Sequence, residues 1–213
     1  LNGSSQVYPL LAAWLKGKKA LLPTPTFGEY PRIFPGAVAY RDVVGIKKND
    51  IEEKAEKCEV IVFVNPNNPT GSFIDTHWIA DFASRNPAKT VIVDESFIEF
   101  SGGPPVLELL EKSPLPNVII IKSLSKSMGM PGLRLGYAYS CNGEFNEYIK
   151  KSLPIWNLNS IAEFTMEIIL KHRKSLAQSF ADTIRDREEF SRELSGVTCV
   201  ETVYPSAANF VLL

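Results

Sequence analysis

Short apolar runs alternate with segments of helical periodicity along the first three quarters of the chain. Several runs are continuous in Val and Ile, which is typical of strands that are covered on both faces. We predict strands at 19–22, 38–41, 59–64, 90–94, 117–122 and 135–140. We predict helices at 5–16, 51–57, 76–85 and 106–112, the second with a capping box formed by Asp50 and Glu53. This alternation indicates an α/β fold with a mostly parallel sheet sandwiched between helices.

The pattern changes after Pro154. A second capping box, Ser160 with Glu163, opens a long helical pattern that ends near Gly196 and precedes strand-like runs at 197–203 and 209–213. We therefore predict a large domain at 1–155, and a linking helix with the start of a small α+β C-terminal domain at 156–213. We expect further chain on both sides, since the sequence lacks an initiator Met and ends on an apolar strand pattern.

Composition and charge exclude several classes of protein. Among 213 residues, 23 Lys and Arg stand against 24 Asp and Glu, so a dominant nucleic-acid or anionic-membrane surface is not expected. No apolar run approaches the roughly 20 residues of a membrane span, and no signal peptide is visible. Cys58, Cys141 and Cys199 form no CxxC pattern, which predicts reduced thiols in a cytoplasmic protein without a disulfide or metal site.

The first candidate site motif is NPNNPTG at 65–71, directly after a predicted buried strand. Each proline requires extended backbone before it, and Gly71 allows a turn. The run is compatible with a tight surface turn. It also lies at the carboxyl end of a parallel-type strand, where open α/β sheets bind ligands.

Two further strands end in polar residues. Asp94 closes an apolar strand, where a carboxylate is costly unless it is paired. It either caps a turn or holds a cationic ring nitrogen.

The next strand leads into Ser123, Ser125 and Lys126, and Arg134 follows. Lys126 is compatible with a solvated surface lysine. Alternatively, the hydroxyls, the glycine-rich backbone and the arginine near it can form a phosphate site, and a lysine there can form a Schiff base with an aldehyde.

Together these strand ends match pyridoxal 5′-phosphate (PLP). The motifs NPNNPTG, VDESF at 93–97, and SLSK followed by GLRLGY at 123–137 resemble fold-type I PLP enzymes of the class I and II aminotransferase family. The resemblance extends over nearly the whole chain. Within the family, the chain is similar to histidinol-phosphate aminotransferases and threonine-phosphate decarboxylases.

The resemblance implies a role for each motif residue. Lys126 would be the catalytic Schiff-base lysine, Asp94 would pair with the pyridine nitrogen, and Asn68, before a candidate cis peptide, would bind the ring oxygen. Phe27 would stack on the ring, although a core position is an open alternative. The implied phosphate ligands are Ser4, Ser5, Ser123, Ser125 and Arg134.

Two departures from the usual aminotransferase sequence bear on which reaction the protein catalyses. Phe97 stands where aminotransferases of this group usually have Tyr, which would bind the ring oxygen. The segment 154–159, a proline followed by W-x-x-N, resembles threonine-phosphate decarboxylases. We therefore favour decarboxylation of L-threonine O-3-phosphate to (R)-1-amino-2-propanol O-2-phosphate in cobalamin biosynthesis. The alternative is histidinol-phosphate:2-oxoglutarate aminotransfer, or another aminotransferase of this class.

Partners and some roles follow only from the resemblance. It implies a small phosphorylated amino-acid or amine substrate and a homodimer, with the substrate-carboxylate arginine and the substrate-phosphate residues outside this sequence. Asn159 and Asn209 either line the substrate side or cap backbone, and we expect Asn209 to cap. A regulatory PLP-binding domain would need a DNA-binding module, which this sequence does not show. A nicotinamide-binding Rossmann fold is rejected because no GxGxxG follows a strand.

Overall fold

A six-stranded sheet forms the centre of the computed structural model, which describes all residues from Leu1 to Leu213. The strand order is β2-β1-β3-β4-β5-β6, with every pair parallel except β5 and β6. The strands are β1 Ala20–Thr24, β2 Val38–Arg41, β3 Val60–Val64, β4 Thr90–Asp94, β5 Val118–Ser123 and β6 Gly136–Ser140. The predicted mostly parallel α/β sheet is therefore confirmed.

Helices cover both faces of the sheet. They are α1 Val7–Trp14, α2 Glu29–Ile33, α3 Lys48–Ala55, α4 Thr76–Arg85, α5 Val106–Lys112, α6 Leu124–Ser127, α7 Gly143–Ser152, α8 Ser160–Lys171 and α9 Arg173–Leu194. Alternate residues of β3 belong to two separate cores, with Ile61 and Phe63 on one face and Val60 and Val62 on the other. This double burial explains why the strands read as continuous apolar runs. No helix is both long enough and apolar enough to cross a lipid bilayer.

The first predicted capping box is wrong. Helix α3 begins at Lys48, its N-cap residue Lys47 makes no side-chain cap, and Asp50 instead forms an ion pair with Lys54 at 2.8 Å. The pattern also missed α2 and α6, which are short, and α7, which spans ten residues. Asn142 caps α7 by accepting a hydrogen bond from Phe145 N at 3.0 Å.

The C-terminal pattern differs from the prediction in two ways. The single long helix is divided at His172, whose backbone leaves the helical region (φ −111°, ψ 28°) and separates α8 from α9. No strand forms at 197–203 or 209–213, so both of those predictions are wrong. A strand needs a neighbour for its backbone groups, and this segment instead donates from Ala207 N to Gly71 O at 2.7 Å. The domain boundary at 155/156 stays a prediction.

Candidate active site

All nine residues predicted for the site line one cavity of about 180 Å³ at the carboxyl edge of the sheet. They are Ser4, Ser5, Phe27, Asn68, Asp94, Ser123, Ser125, Lys126 and Arg134. The ends of β3, β4 and β5 meet there because these strands are parallel neighbours. Topology therefore assembles residues that are far apart in the sequence, while their roles toward a cofactor stay predictions.

Asp94, the last residue of β4, lies at the base of the cavity and is only 3% exposed. Its Oδ1 accepts hydrogen bonds from Ser96 N at 3.1 Å and Ser96 Oγ at 2.6 Å, so Asp94 does cap a turn. Its Oδ2 accepts from Tyr30 OH at 2.8 Å and Tyr8 OH at 3.3 Å. Burial raises the pKa of the Asp94 carboxyl, and these donors oppose that rise.

The loop after β3 leaves one of its three asparagines free. Asn65 exchanges two hydrogen bonds with the backbone of Ile74, both at 2.8 Å. Asn67 donates to Pro25 O at 2.8 Å and accepts from Thr26 Oγ1 at 3.1 Å. Asn68 is half-buried, precedes a cis peptide bond and lines the cavity, and its side chain forms no hydrogen bond within the protein. Its neighbours are thus structural, and Asn68 alone is available to a ligand.

The segment after β5 supplies hydroxyl and cationic groups. Ser125 is 7% exposed, and its Oγ has no hydrogen-bond partner. A buried hydroxyl without a partner is unfavourable, so this atom needs an acceptor or donor inside the cavity. Lys126 also lines the cavity, with its Nζ 5.8 Å from the ring centroid of Phe97.

Arg134 completes the polar end of the cavity. Its backbone is left-handed (φ 55°, ψ 57°), and its Nη2 donates to Ser5 Oγ at 2.9 Å. Gly3 (φ 76°) lies directly against the guanidinium, where a Cβ atom would clash with it. Ser4 and Ser5 occupy the turn that leads into α1. The arginine, the hydroxyls and this helix start form a cradle that suits a phosphate group.

Two aromatic rings form the walls of the cavity. Phe27 is 37% exposed, so it is not the plain core residue that the sequence left open. Its ring centroid lies 5.9 Å from that of Tyr8. Phe97 packs edge-on against Phe210, with centroids 5.1 Å apart. Both rings thus give the cavity apolar lining beside its polar groups.

The sequence missed Tyr8, Tyr30 and Ser96. Tyr30 lies within the run PTFGEY at 25–30, from which only Phe27 was chosen, and Tyr8 has no spacing signal of its own. Ser96 Oγ also accepts from Ser123 N at 3.1 Å, so it joins the ends of β4 and β5.

Asn159, left open by the sequence, caps α8 by accepting from Ala162 N at 2.9 Å. Asn209 is exposed and forms no side-chain hydrogen bond, so its expected capping is not observed.

Comparison with known proteins identifies the family. The family model described as aminotransferase class I and II matches residues 1–213. The chain belongs to the class I and II aminotransferase family. Its members depend on pyridoxal 5′-phosphate, and PLP is the cofactor of this chain. The resemblance stated from the motifs is thereby confirmed.

Relatives within the family carry out different reactions. A histidinol-phosphate aminotransferase from Caldanaerobacter subterraneus subsp. tengcongensis is 36% identical over 99% of this chain and 61% of its own length. An L-serine phosphate decarboxylase from Sulfurospirillum multivorans is 30% identical over all of this chain and 58% of its own length. The chain therefore spans about three fifths of these relatives. Family membership alone does not separate a transferase from a lyase.

A solved structure supports the same fold. The histidinol-phosphate aminotransferase from Clostridium acetobutylicum superposes with a TM-score of 0.87 at 28% identity. The match covers 99% of this chain and 65% of that one. The sheet and its flanking helices are thus those of a PLP-dependent transferase-like fold.

Proposed function

We propose that the cavity at the carboxyl edge of the sheet binds PLP through the residues that line it. The unpartnered Ser125 Oγ, the Arg134 guanidinium and the turn at Ser4 and Ser5 fit a phosphate, with Ser123 beside them. Asp94, at the base, would face the ring nitrogen, and the free amide of Asn68 would bind the ring oxygen. Phe27 would cover one face of the ring.

Lys126 is the proposed catalytic residue, since its amine lines the same cavity and would carry the cofactor covalently. When bound, PLP supplies an electron-withdrawing ring conjugated to the substrate Cα. In the proposed reaction the bond from Cα to the carboxylate breaks and CO2 leaves. Lys126 Nζ then delivers the proton that takes the place of the carboxylate on Cα.

We further propose that the protein decarboxylates L-threonine O-3-phosphate to (R)-1-amino-2-propanol O-2-phosphate, a step in cobalamin biosynthesis. The observation that carries this proposal is Phe97, which presents a ring without a hydroxyl to the cavity near Lys126. The W-x-x-N segment at 156–159 and the similarity to a phosphoamino-acid decarboxylase support it. An O-phosphate on the substrate is common to both reaction types in the family.

Histidinol-phosphate:2-oxoglutarate aminotransfer is the second candidate. It is favoured by the 36% identity to an enzyme of that name and by the superposition on another. In this reaction Lys126 would take a proton from Cα and return it elsewhere on the same conjugated system, so no CO2 would be released. A keto acid would then be consumed.

A homodimer is proposed as the assembly. Exposed apolar side chains lie along 155–168, with Ile155 96%, Trp156 93% and Phe164 64% exposed. Asn157 joins this segment to the turn that carries Ser4 and Ser5 through two hydrogen bonds with Gln6, at 2.7 and 3.1 Å. An apolar surface of this kind is typical of an interface. Light scattering on the full-length protein tests the assembly, and a monomer would contradict it.

The deciding experiment follows CO2 release from L-threonine O-3-phosphate by the full-length, PLP-loaded protein without a keto acid. We expect sustained CO2 with an equal amount of aminopropanol phosphate, and none from a Lys126→Ala variant. Turnover of L-serine phosphate alone would confirm a decarboxylase and correct the substrate. Turnover of histidinol phosphate only when 2-oxoglutarate is present would establish the aminotransferase instead.

A further inference from the structure

Two tyrosines from different helices converge on one oxygen of Asp94. Tyr8 belongs to α1 and Tyr30 to α2, and both phenols donate to Oδ2, at 3.3 and 2.8 Å. Their rings pack edge to face with centroids 5.5 Å apart and an interplanar angle of 87°. Tyr30 is completely buried and Tyr8 is 3% exposed. Packing therefore fixes both phenols relative to the carboxylate.

Every donor to Asp94 within the protein is neutral. Ser96 occupies Oδ1, the two tyrosines occupy Oδ2, and no Lys, Arg or His forms an ion pair with this carboxylate. The charged groups that share its cavity are Lys126 and Arg134. A buried carboxylate without a cation is costly, and hydrogen bonds to its ionised form offset that cost. The same bonds also prevent the carboxylate from rotating away from the cavity.

These contacts bear on where a shared proton resides. If Asp94 faces the pyridine nitrogen, one proton lies between the two atoms, and their relative proton affinities decide which atom holds it. Burial favours the carboxyl, whereas the phenol donors favour the carboxylate. Electron withdrawal by the ring needs the proton on the nitrogen.

We propose that Tyr8 and Tyr30 are positioning residues that hold Asp94 as a carboxylate facing the cavity, which keeps the shared proton on the ring nitrogen. This inference rests on the proposed function, because it requires PLP in the cavity. It concerns the PLP site itself and applies equally to a decarboxylase and an aminotransferase.

The test is a Tyr30→Phe variant of the full-length protein loaded with PLP that carries a nitrogen isotope label in its ring. We expect the ring-nitrogen NMR signal to move toward the unprotonated position. We also expect kcat to fall about tenfold or more with a smaller change in KM, since a hydrogen bond to a charged group is lost. Tyr8→Phe should give a smaller change in the same direction, because its hydrogen bond is longer. If Tyr30→Phe does not fold, the Tyr8→Phe variant serves as the test instead.

The matched control is Tyr40→Phe. Tyr40 is 1% exposed and donates to Val62 O at 3.2 Å, so this variant also loses a buried phenol, but in a different core cluster. The nitrogen signal should stay at its native position in this control. Equal changes in Tyr30→Phe and Tyr40→Phe would show general loosening and overturn the inference.

Asp94→Ala separates the inference from the proposed function. A moved nitrogen signal in Asp94→Ala with a native signal in both Tyr8→Phe and Tyr30→Phe would overturn the inference and leave the PLP site in place. A native signal in Asp94→Ala would instead refute the role of Asp94, and the inference would fall with it.

Discussion

Phe97 is the residue that bears most directly on the reaction. Its ring lines the cavity, lies 5.8 Å from Lys126 Nζ and packs edge-on against Phe210. A tyrosine at this position would present a hydroxyl to the cavity and, on the proposed function, would donate to the ring oxygen of PLP. Since Phe97 cannot, Asn68 is left as the donor proposed for that oxygen.

A Phe97→Tyr variant tests whether residue 97 faces the cofactor. A phenol donor to the ring oxygen favours the form with the proton removed, so the pH midpoint of the bound cofactor's absorbance should fall by roughly one unit. The measurement is a spectrophotometric pH titration of the loaded protein. Phe97→Leu, which changes the side chain without adding a donor, should leave the midpoint in place. An unchanged midpoint in Phe97→Tyr would place residue 97 away from the ring oxygen.

At the scale of single elements, helix α8 shows why capping patterns can mislead. The sequence S-x-x-E at 160–163 fits a capping box, yet the residue that caps is Asn159, one position earlier. Both Asn and Ser are favourable N-cap residues, so the motif alone does not choose between neighbours. The Asn159 side chain also donates to Leu133 O at 3.1 Å, which ties the helix start to the segment before Arg134.

Removing this cap should destabilise the protein measurably. We expect Asn159→Ala to lower the free energy of unfolding by about 1 kcal/mol, because it leaves the amide of Ala162 without its partner. Urea unfolding monitored by circular dichroism is the measurement. Ser160→Ala, at the exposed first position of α8, should be nearly neutral. A larger loss of stability in Ser160→Ala than in Asn159→Ala would show that Ser160 is the N-cap residue, as the capping-box prediction had it.

At the scale of the whole molecule, the sequence predicts the residues that depend on local order and misses those that depend on packing. All six strands were predictable, because apolar runs mark them. The nine predicted residues line one cavity, six of them at or after the ends of β3, β4 and β5, whereas Ser4, Ser5 and Phe27 were chosen only through the family resemblance. Tyr8 and Tyr30 were not predictable, because their partner Asp94 is reached only after α1 and α2 pack on the sheet. The strand patterns at 197–203 and 209–213 fail for a related reason, since they have no neighbouring strand here.

The stability of the whole molecule should depend on pH through Glu95, which is completely buried next to Lys122, Glu99 and Tyr137. Its Oε1 accepts from Val106 N at 2.5 Å, whereas Oε2 has no partner. Lys122 forms its ion pair with Glu99 at 2.7 Å instead. Burial therefore raises the pKa of Glu95 from its ordinary 4.5 to about 7.

The sign of the effect follows from this rise in pKa. The contribution of Glu95 to the free energy of unfolding is fully present below about pH 4.5, where both the folded and the unfolded chain hold the proton. This contribution is lost as pH rises through about 7. Glu95→Gln keeps an acceptor for Val106 N and cannot ionise. As pH rises from 5 to 8, we expect the free energy of unfolding of this variant to increase by on the order of 1 to 3 kcal/mol relative to that of the native protein.

Urea unfolding of both proteins at several pH values measures this difference. The control is Glu167→Gln, since Glu167 is exposed on α8 and forms no ion pair or side-chain hydrogen bond. Measured at the same pH values, this control shows how far removing an exposed carboxylate without a partner changes the free energy of unfolding. A pH-independent difference for Glu95→Gln would mean that the Glu95 carboxyl ionises in the folded protein as readily as in the unfolded chain. Lys122 would then have to compensate both carboxylates, rather than Glu99 alone.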